Sequence, residues 1–366
     1  RLETRESTMG SFVEELQSSS ETHYERFRNL IAYQSAAFRS RLNYPVPPRA
    51  RLNDFDFQYI LGQGAFGTVI FAVHKATKTE CAVKMAVKPG TDAPKEKYGR
   101  MVLERNLLFA CSSKFITRVL YSFAEGPHLY LVLEYVSCGT LNRIIKLSRP
   151  VPTAINKVIL AQIILALDYL HELLILHNDL KPDNILIGSN GYIKIADFGL
   201  ADDLSTLDNQ KSTRNCGTIG YVAPEVLKYG IHGLEADWFS FGVIAYELFC
   251  KKRPFIGANI AEIKQLTCSL EVTLPVPLAD IPELKSFIEN LLKKTPTERL
   301  GYGGASEVMQ HPWLCNINWL VIYEQQIPGP VDIEPVEKQR LEQTDLDKIL
   351  RPAEHGKKLD NLHVSF

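Results

Sequence analysis

The stretch from Ile175 to Gly199, ILHNDLKPDNILIGSNGYIKIADFG, constrains this chain more than any other. Four chemically loaded polar residues, Asp179, Lys181, Asn184 and Asp197, are set in it among short apolar runs. ILIL at 173–176 and ILI at 185–187 read as buried strand or helix-end material. GSNG at 188–191 has hairpin-turn chemistry, and YIKIA at 192–196 alternates like a strand. The polar groups therefore fall at strand ends and loop tips, held by buried apolar flanks.

The pattern H-x-D-L-K-P-x-N, followed by D-F-G, resembles the catalytic and metal-binding segments of eukaryotic protein kinases. The resemblance implies a role for each residue, and each role has a chemical reason. Asp179 accepts the hydroxyl proton of a Ser or Thr substrate and orients its oxygen toward the γ-phosphorus. Lys181, two residues on in an extended loop, points the same way, toward the transferring phosphoryl oxygens. Asn184 and Asp197 are hard oxygen ligands for Mg2+, which bridges phosphates rather than sitting in an all-protein cage. The bland alternative, an acidic surface turn, loses ground to the partner residues found elsewhere in the chain.

At 366 residues and 45 % apolar content, the chain can bury a large core and more than one lobe. A net charge of −1 offers no field for nucleic acid or an acidic membrane, so neither is expected as a partner. The 7 cysteines are scattered with no C-x-x-C, which argues against a disulfide or zinc framework and for a reducing cytoplasm or nucleus. Val158 to Leu176 is the most apolar long run, but Gln162, Asp168, His171 and Glu172 interrupt it; a buried amphipathic helix is expected, not a membrane span. No secretory signal is expected, and the start at Arg1 leaves the natural start open.

Four segments follow: a helical extension over 1–54, an N-lobe over 55–136, a larger C-lobe over 137–313, and a tail over 314–366. In the extension, apolar residues at 27, 30, 31, 33, 37, 38 and 42 mark one helix face, ended by YPVPP. That helix either lies across the body of the protein or is a solvated extension. From Phe55 the chain reads as three strands with turns at the glycines and at KATKT. Leu61 and Gly62-x-Gly64-x-x-Gly67-x-Val69 join two strands instead of opening a helix, which argues against a dinucleotide-binding turn. Glycines let backbone approach phosphate oxygens, and Phe66 at the tip can exclude water.

In the kinase reading Val69 and Ala82 line an adenine slot from above and Leu186 from below. Backbone groups of Glu134 and Val136 pair with the adenine edge, and Leu133 guards the pocket behind. Lys84, in the apolar run CAVKMAV, needs a counter-charge, and Glu104 on a helix-period pattern is the candidate. Asp237 braces the catalytic-loop backbone, and Glu225 of A-P-E requires a buried cation, for which Arg299 is the candidate.

Residues 55–313 thus resemble a protein kinase domain, which implies an α+β, bilobal fold: a small β-rich lobe with one regulatory helix and a larger, mainly helical lobe. Within that family CGT before APE, RLG before HPWL, and INWLVIY resemble the AGC group, nearest the catalytic subunit of cyclic-AMP-dependent protein kinase. In that family the tail wraps the small lobe and ends in F-x-x-F; here only Phe366 is kept, and TDLDKIL at 344–350 lacks an aromatic pair.

Other departures bear on control and substrate choice. The arginine of H-R-D is Asn178, the activation-loop phosphothreonine is replaced by Arg214, and a cluster lysine by Asp202. Both ends have changed sign, so an Arg214–Asp202 pair is expected in place of the phosphate contact; the rival is phosphorylation of Ser212 or Thr213 with Arg100 as acceptor. Of the acidic residues that select basic peptides, Glu247 and Asp183 are kept, while Thr140 and Gly220 stand where glutamates are expected. The expected activity is phosphoryl transfer from Mg-ATP to Ser/Thr hydroxyls of protein substrates, Thr218 marking that class. The alternative is an ATP-binding pseudokinase scaffold; against it, Lys84, Asp179, Asn184 and Asp197 are all present. The resemblance also implies a regulatory subunit or inhibitor protein as partner, although Thr213 replaces the tryptophan that would pack on such a subunit.

Overall fold

The computed structural model describes residues 28–29, 37–43, 48–64, 67–88, 95–147 and 151–331. The expectations for Phe66, for 344–350 and for Phe366 lie outside these. Among the described residues the chain divides into two compact units, one of Phe38–Ser112 with Ile116–Ser137, the other of Ser113–Phe115 with Cys138 onward and including Arg28.

The first unit is built on one antiparallel sheet. Its strands are β1 (Phe55–Gly64), β2 (Gly67–His74), β3 (Glu80–Val87), β4 (Val119–Glu125) and β5 (His128–Glu134), in the order β1-β2-β3-β5-β4. Alternation along β3 sends Cys81, Val83 and Met85 to one face, where they join Ile70, Ala72, Tyr130 and Val132 in the core. Phe123 stacks between Phe55 at 5.9 Å and Tyr130 at 4.9 Å on that side. The register puts Val69 opposite Lys84 and Ala82 opposite Leu133, so these four side chains share the other face. Helix α1 (Lys95–Ala110) packs near β4 with Leu107 and Leu108 buried. A helical segment over 37–43 buries Phe38 fully, and Arg41 Nε donates to the Ala110 carbonyl at 2.7 Å, satisfying a terminal acceptor of α1.

In the second unit α2 (Asn142–Ile145) precedes the long α3 (Thr153–Glu172). Among the described residues, α3 alone is long and apolar enough to cross a membrane, but it is mostly buried inside the protein. Ile159, Leu160, Ile163, Ile164 and Leu167 have no exposed surface, each worth about 1.5–3 kcal/mol relative to an exposed side chain. Arg28 is tied to this helix, Nη1 reaching Asp168 Oδ1 at 2.7 Å and Nη2 reaching Glu172. The helix stops at Glu172, so the apolar run to Leu176 continues as strand β6 (Ile175–Leu176), paired with β9 (Asp202–Asp203). Strands β7 (Ile185–Ile187) and β8 (Ile193–Ile195) form the hairpin across GSNG, shorter by one residue at each end of β8 than the alternation suggests. Helices α4 (Pro224–Tyr229), α5 (Glu235–Cys250), α6 (Ile260–Ser269), α7 (Pro282–Leu291), α8 (Ala305–Met309) and α9 (Trp319–Glu324) follow, with α5 packed on α3 and α7, and α8 and α9 on α3. A sheet-based unit and a mainly helical one give the α+β organisation that the sequence implied.

Candidate active site

The catalytic loop leaves β6 and is held from α5. Asp237, in the first turn of α5 and 1 % exposed, accepts the amides of His177 at 2.9 Å and Asn178 at 3.1 Å. His171 Nε2 lies 3.0 Å from the same carboxylate. Burial pushes the Asp237 carboxyl up, but the His171 bond and nearby His177 more than offset this and hold it below the usual range. Asn178 adopts φ +67°, a left-handed conformation that asparagine tolerates better than most residues.

At the next position, the Asp179 carboxylate is gripped from both sides. Lys181 Nζ lies 2.6 Å from Oδ2, and the Thr218 hydroxyl donates to Oδ1 at 2.6 Å. Lys181 also donates to Thr218 Oγ1 at 2.8 Å, closing a triangle. The 3-10 turn Pro182–Asn184 swings Asn184 back, and its amide nitrogen donates to the Asp179 carbonyl at 2.8 Å and to Oδ2 at 3.2 Å. With that nitrogen pinned, the amide oxygen is the end left for a ligand. The Ala196 amide donates to the Asn184 carbonyl at 2.9 Å, so Asp197, at φ +61°, follows beside Asn184. Among the described residues no group of three His, Cys, Asp or Glu side chains forms a closed metal cage. An amide oxygen beside one carboxylate fits Mg2+, which takes one or two protein oxygens and draws the rest from phosphates and water.

Next to this loop lies a buried polar network. Asp202, 4 % exposed, receives Arg214 Nη1 at 3.0 Å, Asn178 Nδ2 at 3.0 Å and Ser212 Oγ at 2.8 Å. Asn178 Oδ1 is 2.8 Å from His232 Nε2, and Ser212 and His232 exchange backbone hydrogen bonds. The Arg214–Asp202 pair expected from the reversed charges is formed, and Ser212 is fully buried with its hydroxyl committed to it. Glu225 and Arg299 make the anticipated buried fork, at 2.7 and 2.8 Å.

In the sheet unit, Lys84 Nζ meets Glu104 Oε1 at 2.6 Å, with the two side chains 12 % and 7 % exposed. Gly67 at φ +125° is required: a Cβ there would lie 2.1 Å from the Met85 carbonyl oxygen. Gly62 is different from what the glycine pattern suggested. It sits inside β1 opposite Val69 with nothing within 4 Å of a built Cβ, because the β1–β2 turn comes after Gly64. Leu61 is 39 % exposed. The Glu134 amide donates to the Arg118 carbonyl at 2.9 Å, which leaves the adenine role to the Glu134 carbonyl; Val136 lies just beyond the end of β5. In the helical unit Leu186, half-buried in β7, pairs with Lys194 and bridges to Thr140.

The sequence did not disclose His232, which reaches Asn178 from far along the chain, or His171, which supports Asp237; no local pattern marks either. Thr218 was read only as a class marker, whereas its hydroxyl touches both Asp179 and Lys181.

A loop that holds one aspartate between a lysine and a threonine, with an asparagine folded back onto it and the D-F-G carboxylate alongside, is that of the protein kinase fold. A family model described as protein kinase domain matches residues 55–314, and the chain belongs to this family. It is 34 % identical over 315 residues to Protein kinase 2 of Dictyostelium discoideum, covering 84 % of this chain and 65 % of the relative. It is also 34 % identical over 285 residues to RAC-beta serine/threonine-protein kinase A of Xenopus laevis, covering 77 % and 58 %. A third relative is Serine/threonine-protein kinase AtPK1/AtPK6 of Arabidopsis thaliana, 34 % identical over 278 residues, covering 75 % and 58 %. The chain thus matches roughly three-fifths of the length of these relatives.

Proposed function

We propose that the chain is a serine/threonine protein kinase of the AGC group, akin to the cyclic-AMP-dependent catalytic subunit, transferring the γ-phosphoryl of Mg-ATP to protein hydroxyls. The observation that carries this is the Asp179 carboxylate held between Lys181 and Thr218. When a substrate hydroxyl enters, Asp179 accepts its proton and aligns the oxygen for in-line attack. Lys181 offsets the negative charge that builds on the transferring group, and Thr218 keeps the carboxylate from rotating away. In this reading Asn184 and Asp197 hold Mg2+, which when bound neutralises the phosphate oxygens. Lys84, positioned by Glu104, takes the α- and β-phosphates. Gly62, Gly64, Gly67, Val69, Ala82, Leu133, Val136 and Leu186 contact the nucleotide.

The Arg214–Asp202 pair seats the activation segment without phosphate. All seven cysteines are free thiols, in keeping with a reducing cytosol or nucleus. Control by cyclic AMP is not part of this proposal. The test is radiolabelled transfer from ATP to a degenerate Ser/Thr peptide library, beside Asp179→Asn. Loss of the base should reduce transfer by about 10²–10⁴-fold. Nucleotide binding with no labelling of any peptide by the unaltered chain would replace this reading with that of a scaffold.

A further inference from the structure

Near Thr218 the helical unit carries a cation where the resemblance leads one to expect an anion. Gly220 takes φ +97°, and a Cβ built there would lie 2.4 Å from Arg253 Nη1, so the guanidinium fills the volume of the absent side chain. Arg253 Cζ lies 5.9 Å from the Tyr221 ring centroid, and Nη1 donates to the Ile219 carbonyl at 3.3 Å. A guanidinium offers five donors in a planar fork, and this half-exposed one, although near Glu247, makes no carboxylate contact of ion-pair length among the described residues.

The neighbouring acids are already engaged. Tyr221 Oη donates to Glu247 Oε2 at 2.6 Å, and Asn142 Nδ2 donates to Asp183. Burial pushes the Glu247 carboxyl up, the Tyr221 bond and the positive charge of Arg253 and Lys146 pulling it partway back. Of the five guanidinium donors of Arg253, one is matched by a hydrogen bond among the described residues. Its position relative to the chemistry follows from the chain: Thr218 touches Asp179, and Gly220 is two residues further, in the turn closed by the Tyr221 amide on the Thr218 carbonyl at 3.0 Å.

We propose that Arg253 is a specificity determinant that receives an aspartate or glutamate side chain of the protein substrate, within about three residues of the phosphorylated hydroxyl. This rests on the kinase reading above. It turns a weakened preference for basic peptides into a positive choice of acidic ones.

The test has two arms on the full chain. In the first, peptides with one fixed serine carry Asp, Glu, Ala, Lys or Arg at each of the three positions on either side. Transfer from radiolabelled ATP is measured for the unaltered chain, Arg253→Lys and Arg253→Glu. In the second, fluorescein-labelled acidic and alanine peptides are titrated with the same three proteins and followed by anisotropy, which needs no transfer. The expected result is a five- to tenfold advantage of an acidic over an alanine residue at one position. Arg253→Lys should keep part of it and Arg253→Glu should reverse it toward Lys and Arg. No acidic preference at any position, or one that survives Arg253→Glu, overturns the proposal. If no peptide is labelled, the kinase reading fails, and the anisotropy arm alone decides the role of Arg253.

Discussion

Replacing Asp202 with lysine is the sharpest test of how the activation segment is seated. The carboxylate is almost fully buried and accepts from Arg214, Asn178 and Ser212 at 3.0, 3.0 and 2.8 Å. Lysine removes three acceptor contacts and sets a second cation against Arg214. At about 4 Å and an effective dielectric of about 20, the repulsion alone is about 4 kcal/mol. If the seated segment has a margin of about 2 kcal/mol, the remainder lowers its population about 30-fold; with no margin the loss nears 10³-fold. Arg214→Ala is milder, because its side chain is 28 % exposed and Asn178 and Ser212 still hold Asp202. About 1 kcal/mol, or roughly fivefold, is expected there. The assay is kcat/KM on one peptide, with and without phosphatase treatment, beside a thermal melt that separates local unseating from global unfolding. The swapped pair Asp202→Arg with Arg214→Asp should recover part of the loss. An Asp202→Lys enzyme with more than half the normal kcat/KM, or an unaltered enzyme inactivated by phosphatase, refutes the reasoning.

Two further expectations concern stability. Glu225→Ala strands the Arg299 guanidinium, whose side chain has no exposed surface, at a cost of about 3–5 kcal/mol and a fall in Tm of about 6–15 °C by calorimetry; a fall below about 3 °C contradicts a buried, mutually dependent pair. Burial pushes the Asp168 carboxyl up to about 6 from its ordinary 3.8, even though Arg28 pulls it partway back down. The folded chain therefore takes its proton first, so this group favours folding fully below about 3.8 and loses that contribution as pH rises through about 6. Asp168→Asn should flatten this part of the Tm-against-pH profile, and parallel profiles for the two proteins would exclude the effect.

Much of the catalytic loop was legible because its contacts are local. Asp179, Lys181 and Asn184 lie within one turn and its flanks, so spacing alone brings them together. The Lys84–Glu104 and Glu225–Arg299 pairs were legible for another reason: a charge in an apolar setting demands a partner, and few are available. Arg214 and Asp202 were found by their reversed signs. The rest depended on approach between residues far apart in sequence. Asn178 meets His232 and Asp202 through a fold that no local period encodes, and Arg253 fills the space beside Gly220 from a separate loop. A glycine pattern does not say which of its members makes the turn; the +125° φ of Gly67 does.

The grip of Asp237 on two successive amides has a consequence for how this loop can vary over evolutionary time. Main-chain N–H groups are the same whatever side chain follows them, so the anchor is blind to residue identity at 177 and 178. A loop fastened in this way can exchange the arginine of its relatives for Asn178, and rewire its regulatory contacts, while the base at the next position keeps its station on a rigid sixteen-residue rod.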